Sequence, residues 1–296
     1  MYNSPVSIQD TKDKQQIKNA SCTQKINPSS TSTEFEIDHT VFFSVLSMRK
    51  ALTIIGITLL LIVTGCALSH RPLPTPTQPG EQLATKIEQS INKKAWEQTG
   101  IITWNFAGAQ HIWDKERELH SYTRGNNTVL HSLAGKGGIH LNKGKEQHNP
   151  QKWVQKAYNA WINDSFWLNP LVKFRDNGVE LKTMTYEDEE VLTVHYTSGG
   201  NTPGDTYMWY TDKNHRPKMW RMWVSVVPIG GAATSWEGWT QLSTGAWIAT
   251  QHKAGPVTLE LSAVQGAKHW QELYKEDPFA QLIQKYDLGF SSQDTP

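Results

Sequence analysis

The feature that most constrains the fold is an alternation of apolar and polar residues that recurs from about residue 100 to residue 265. In "GIITWNFAG" the apolar side chains Ile102, Trp104 and Phe106 stand two residues apart, as they do on one face of a strand. The same period of two appears in "PVTLELSAV" near the other end of the region. Short alternating runs separated by glycine or asparagine are typical of antiparallel strands joined by tight turns.

Two segments replace this alternation with a helical period. Leu83, Ile87 and Ile91 are four residues apart, which predicts an amphipathic helix ahead of the strands. Residues 151–168 predict a longer helix with an aromatic face in the middle of the strand region. We therefore predict an α+β fold with about 10 to 11 antiparallel strands and a few helices.

A second constraint is the apolar run that ends at Cys66. Three residues with two positive charges, 48–50, precede the 13 residues 51–63, which contain almost nothing polar, and the small residues Thr64 and Gly65 follow. The run is shorter than the roughly 20 residues of a spanning helix, so it predicts a secretory signal peptide over 48–65. The order Val63, Thr64, Gly65, Cys66 resembles the lipobox of bacterial lipoproteins, which implies cleavage before Cys66 and a diacylglyceryl and acyl anchor on it. An uncleaved anchor helix is the alternative.

This signal divides the chain into four parts. Residues 1–47 contain 20 Ser, Thr, Asn or Gln and no Trp, which predicts a disordered or untranslated extension before a start at Met48. A cytoplasmic extension on a membrane-anchored form is the other interpretation. After the signal, the prolines of residues 66–80 predict an extended tether. Residues 81–290 then form one folded domain.

The composition of residues 66–296 narrows the classes of function. This part carries 23 basic and 23 acidic residues, and such a neutral balance argues against nucleic acid as a partner. Cys22 and Cys66 are the only cysteines, so acylation of Cys66 leaves no pair for a disulfide. All 13 Trp lie in this part. Because an indole is large and its N–H requires a partner, we expect some of them to line a binding concavity.

Polar residues on the predicted strands offer two further sites. Histidines that meet on one sheet face could bind a transition metal, and the candidates are His111, His120, His131, His140 and His195. No close pair such as H-x-H occurs, so we predict neither a metal nor a cofactor. The stretch "HIWDKERE" places His111 near Asp114, as an acid–base enzyme requires. We interpret it as a solvated charged hairpin and predict no catalytic residue.

The order helix, strands, central helix, strands, together with the lipobox, resembles the LolA/LolB-like fold of bacterial lipoprotein carriers. The stretch "AYNAWINDSFWLNPLVKFRDNGVELKTM" is similar to one that recurs in envelope proteins of that fold. The resemblance covers residues 81–265 and implies a curved antiparallel half-barrel wrapped around and covered by helices, with an apolar concavity for acyl chains. This chain has a lipobox of its own, as the anchored receptor of that family does, and apolar-ligand binding is the property we carry over.

We therefore predict a monomeric, non-catalytic protein that is anchored in the outer membrane and faces the periplasm. Ala67, rather than aspartate, follows the anchored cysteine, which favours the outer membrane. The ligand is predicted to be a lipid, an acyl chain or another apolar molecule, bound by Trp104, Phe106, Trp153, Trp161, Trp220 and Met222. An envelope enzyme acting on lipid or glycan, and a Trp-lined carbohydrate-binding or scaffold lipoprotein, are the alternatives.

Overall fold

The computed structural model describes residues 70–199 and 202–290. The predictions for residues 1–69, including the signal peptide and the anchor on Cys66, lie outside the described residues. In the described part, the helices are α1 (Glu81–Ser90), α2 (Lys93–Glu97), α3 (Gln151–Leu168) and α4 (Ala280–Tyr286), with 3₁₀ turns at Pro170–Lys173 and Trp270–Glu272. None of these helices is long and apolar enough to cross a membrane.

The strands of the described residues are all antiparallel to their neighbours. They are β1 (Gln78–Pro79), β2 (Ile101–Phe106), β3 (Ala109–Asp114), β4 (Leu119–Arg124), β5 (Asn127–Ser132), β6 (Gly138–Asn142), β7 (Lys145–Glu146), β8 (Val179–Tyr186), β9 (Glu189–Tyr196), β10 (Thr206–Thr211), β11 (Pro217–Trp223), β12 (Ala232–Ser235), β13 (Thr240–Gln241), β14 (Trp247–Ile248), β15 (Gln251–Ala254), β16 (Val257–Glu260) and β17 (Ser262–Ala267).

These strands form two larger sheets. The seven-stranded sheet has the order β17-β2-β3-β4-β5-β6-β7, and the six-stranded sheet has the order β1-β8-β9-β10-β11-β12. The hairpin β15–β16 links them: Lys253 N donates to Ser235 Oγ, at the end of β12, at 3.0 Å, and Leu261 N, just before β17, donates to Thr250 O at 2.9 Å. The predicted α+β curved antiparallel fold is confirmed, and the described strands form no closed barrel. They are shorter and more numerous than predicted.

Tight two-residue turns explain why neighbouring strands follow one another along the chain. Ala107 and Gly108, which join β2 to β3, both have positive φ angles, of 49° and 78°. Lys143 and Gly144, which join β6 to β7, also both have positive φ angles. Two consecutive left-handed residues match the right-handed twist of the flanking strands, so these local turns set the hairpin register of the seven-stranded sheet.

Helix α3 packs against β4, β5 and β6 of the seven-stranded sheet. The close approach depends on Gly138, because a Cβ atom there would lie 2.4 Å from Val154 Cγ2. The opposite face of the same sheet is covered by Phe279 and Leu282 at the C-terminal helix α4. The seven-stranded sheet is therefore buried on both faces, which explains how polar side chains under α3 become fully enclosed.

The inner face of the six-stranded sheet carries the larger aromatic core. Trp209 and Trp220 lie there with ring centroids 4.9 Å apart, and both are buried. Ile87 and Ile91 at the end of α1 belong to the same core. Trp167 of α3 joins this core to the one under the seven-stranded sheet, since its centroid lies 5.2 Å from that of Trp220.

The described part of the predicted tether does not extend away from the domain. Arg71 N donates to Gly230 O at 2.8 Å, and Trp223 Nε1 donates to Arg71 O at 2.8 Å. Farther along, Gln78–Pro79 pairs with β8 at the edge of the six-stranded sheet. The backbone is extended, as its prolines predict. Hydrogen bonds to Gly230, to Trp223 and to the edge strand β8 hold it against the six-stranded sheet. Residues 70–79 therefore belong to the folded structure.

Candidate ligand-binding site

A hollow of about 320 Å³ lies where α2, the end of β3 and the end of α3 meet. We call it the Trp96–Trp113 pocket, and it is lined by Lys93, Trp96, Glu97, Trp113, Lys115, Ser165, Asn169, Val172, Lys173 and Asp176. Its size is at the lower end of the range for small-molecule sites, roughly 300–1,000 Å³. The pocket combines two indole rings with several charged groups, a lining suited to an amphipathic ligand.

The two aromatic walls come from different elements. Trp96 is buried on α2, and Trp113 is partly exposed at the end of β3. Their ring centroids are 6.2 Å apart and the ring planes meet at 62°, the edge-to-face arrangement that aromatic pairs favour. Trp161 of α3 supports Trp113 from behind, with centroids 5.3 Å apart and planes at 79°. This support fixes the orientation of the Trp113 wall.

Lys115 follows β3 directly and brings a positive charge to these walls. Its Nζ donates to Trp96 O at 2.6 Å and lies 4.4 Å from the centroid of the Trp96 ring. Burial lowers the pKa of Lys115 to about 8, although the charge of Glu97 acts in the opposite direction. The ammonium group is therefore poorly solvated and is held by a carbonyl and an aromatic face.

A buried amide completes the polar side of the pocket. Asn169, at the end of α3, is 4% exposed, and its Nδ2 has no hydrogen-bond partner among the described residues. Ser165, one turn earlier, has its hydroxyl 3.4 Å from Ile162 O within the helix. A buried N–H group without a partner costs about 1–3 kcal/mol, so an acceptor that reached Asn169 Nδ2 would offset this cost.

The six residues predicted to bind a ligand occupy several places. Trp104, Phe106 and Trp161 pack in the core under the seven-stranded sheet, which also contains Trp96. Trp220 lies in the core of the six-stranded sheet, and Met222 packs against it. Trp153 stacks on His140 near the start of α3, with centroids 4.5 Å apart. None of the six is among the residues that line the Trp96–Trp113 pocket, and Trp161 contacts one of its walls, Trp113.

Three of the candidate histidines do meet under α3. His111 Nδ1 lies 3.1 Å from His120 Nε2, and His120 Nδ1 lies 2.9 Å from His131 Nε2. Asp164 Oδ2 of α3 is 3.0 Å from His111 Nε2, away from the line of a straight hydrogen bond. We call these four residues the His–Asp chain. Their nitrogens face one another in pairs, and the described residues include no group of three or more side chains arranged to hold a metal.

The acid–base pair considered at His111 and Asp114 does not form. The Asp114 carboxylate accepts from Arg117 Nε at 2.8 Å, and Arg117 also donates to Asp277 at 2.6 Å. His111 instead faces Asp164 from the other side of β3. The stretch is not a solvated hairpin either, because His111 and Asp114 are buried.

Comparison with solved structures finds a distant similarity. A crystal structure of a DUF1329 family protein from Desulfovibrio piger ATCC 29098 matches with a TM-score of 0.37 and 8% sequence identity. The match covers 68% of this chain and 98% of that chain. No protein-family model matches the sequence, and a search of curated proteins gives no match.

Proposed function

We propose that this chain is a non-catalytic binding protein for a lipid, an acyl chain or another apolar ligand, and that the Trp96–Trp113 pocket is its binding site. The observation that carries the proposal is a hollow of about 320 Å³ whose lining includes two indole rings, those of Trp96 and Trp113. Each methylene buried against such walls contributes about 0.8 kcal/mol. A chain of a few methylenes would bind there without any covalent chemistry. The resemblance of residues 81–265 to LolA/LolB-like carriers supports the same class of ligand.

The polar groups around the pocket also favour binding over catalysis. Lys93 and Lys173 are occupied by ion pairs, and the Ser165 hydroxyl faces a carbonyl of its own helix. His111, the imidazole first considered for acid–base work, lies in the buried His–Asp chain. A pocket of this kind holds and orients a ligand, and we propose no catalytic role for its residues.

Replacing Trp113 with alanine is expected to weaken the binding of palmitate to the purified chain at least tenfold. The loss equals the contact of about two methylenes, roughly 1.6 kcal/mol, and 1.4 kcal/mol corresponds to a factor of ten. Titration calorimetry measures the affinity. Trp153→Ala is the matched control, because this Trp stacks on His140 in a different cluster and should leave the affinity within about twofold.

Equal weakening by both substitutions would contradict the assignment of the Trp96–Trp113 pocket. Absence of palmitate binding to the unsubstituted chain would overturn the proposed function itself. In that case the Trp-lined carbohydrate-binding alternative is tested in the same instrument with soluble glycan fragments, since aromatic faces also stack on sugars. Thermal unfolding of each variant separates a lost contact from a lost fold.

The proposed location is the outer membrane, facing the periplasm, with an anchor on Cys66 and a monomeric domain that does not bind nucleic acid. In cells fed a palmitate analogue that carries a detectable tag, we expect label on the chain and loss of that label in Cys66→Ser. Cys22→Ser is the matched control and should keep the label, because it removes the other cysteine. Label that survives Cys66→Ser, or an unsubstituted chain recovered free of membranes, contradicts the anchor.

A further inference from the structure

The charged groups of the Trp96–Trp113 pocket are not evenly paired. Lys93 Nζ lies 3.1 Å from Glu88 Oε1 and 3.9 Å from Glu97 Oε1. Lys173 Nζ lies 3.3 Å from Asp176 Oδ2. The two carboxylates that line the pocket, Glu97 and Asp176, are therefore both matched to a lysine. Lys115 has no carboxylate within 4.0 Å among the described residues.

Two polar groups of the pocket can still form hydrogen bonds to a ligand, and both are donors. A lysine ammonium has three N–H donors, and the described partner of Lys115 is the single carbonyl of Trp96. Asn169 contributes a buried Nδ2 without a partner. Both side chains line the same hollow. A ligand group that accepts several hydrogen bonds and carries negative charge would satisfy both of them, whereas an uncharged alkyl end would leave them desolvated and unpaired.

We propose that the ligand of this pocket is an anionic single-chain amphiphile whose carboxylate or phosphate binds Lys115 Nζ and Asn169 Nδ2 while its alkyl chain lies against Trp96 and Trp113. This inference rests on the proposed function and adds the chemistry of the head group. Lys115 sets the preference for charge, because it is the pocket cation without a carboxylate partner. The two Trp rings supply contact to the chain that does not depend on charge.

The test compares three ligands that share a 16-carbon chain: palmitate, hexadecyl phosphate and hexadecanol. We expect the purified full chain to bind at least one of the two anions ten times or more tightly than hexadecanol at pH 7. The anion that binds more tightly distinguishes a fatty-acid ligand from a phosphate-bearing lipid. Lys115→Met keeps most of the length of the side chain, removes its charge and should reduce anion binding to the level of hexadecanol. Lys253→Met is the matched control, because it removes an exposed lysine on the β15–β16 hairpin.

The pH dependence provides a second measurement that a merely structural role would not produce. The anion preference should decline above pH 8, where Lys115 loses its proton. Lys115→Arg should extend the preference to higher pH, since a guanidinium stays charged. This variant also keeps the test decisive if Lys115→Met does not fold.

Three outcomes overturn the inference, and they differ in what they say of the proposed function. If hexadecanol binds as tightly as both anions, or if Lys115→Met keeps the preference for anions, the inference fails and the apolar-ligand function stands. If none of the three ligands binds, both fail together.

Discussion

Replacing Asp164 with alanine is expected to lower the free energy of unfolding by about 1 to 3 kcal/mol, the range for a buried polar group that loses its partner. The side chain of Asp164 is 10% exposed, and that of His111, 3.0 Å away, is fully buried. Without the carboxylate, the imidazole is left in a dry site that water does not reach, so the cost of desolvation is not offset. Chemical denaturation of the two chains at pH 7 measures the difference.

Asp176→Ala is the matched control for this substitution. Asp176 also faces a cation, Lys173, but both side chains are largely solvated, with exposures of 52% and 37%. Exposed pairs of this kind contribute about 0 to 1 kcal/mol. A loss for Asp164→Ala no larger than that for Asp176→Ala would show that the His–Asp chain does not hold α3 to the sheet.

The pattern of the sequence predicts the strands but not their register. A period of two assigns His111, His120 and His131 to strands, and local turns join those strands in order. Whether the imidazoles meet depends on the register in which the strands pair. In the structure His120 is opposite His131, while His111 is opposite Tyr122. The contact between His111 and His120 is therefore a diagonal one, and the His–Asp chain runs obliquely across the strands. The partner from α3, Asp164, depends on tertiary packing and has no local signal.

The pocket was missed for a related reason. Alternation shows that Trp104 and Phe106 share a face, and their burial in one core is consistent with that. The same pattern does not distinguish a Trp that fills a core from one that borders a hollow. Trp113 and Lys115 are two residues apart and therefore share a side, a signal present in "HIWDKERE". Its high density of charge favoured the solvated-hairpin interpretation, because the pairing of Asp114 with Arg117 and Asp277 cannot be read locally.

The prolines of residues 72–79 likewise predict an extended backbone and no more. What holds this segment against the domain is a set of distant groups, among them Trp223 Nε1 and Gly230. Gly80 permits the entry into α1, because a Cβ atom there would lie 2.7 Å from Lys182 N. Sequence composition cannot distinguish such a docked segment from a free tether, since both are extended and rich in proline.

Acidification from pH 7.5 to pH 4.5 is expected to destabilise the folded domain by several kcal/mol. Burial lowers the pKa of His131 and of His252 to about 4, against 6.5 for an ordinary imidazole. Burial, together with the neighbouring His131 and His111, also holds the pKa of His120 well below its usual range. The unfolded chain therefore binds more protons than the folded one, so stability is complete above pH 6.5 and is lost as the pH falls toward 4. For each of His131 and His252, a pKa shift of this size lowers the free energy of unfolding by about 3 kcal/mol at a pH that protonates the imidazole in both the folded and the unfolded state.

Denaturation curves at the two pH values test this expectation in the unsubstituted chain and in two variants. His131→Gln and His252→Gln each remove one group that resists protonation in the folded state, so each variant should lose less stability on acidification. His131 lies in the His–Asp chain and His252 lies beside Trp236, with ring centroids 4.2 Å apart, in the other core. Because the two imidazoles lie in different cores, their effects on the pH dependence should add in the double variant. A pH dependence that neither substitution reduces would show that other groups govern the acid unfolding of this domain.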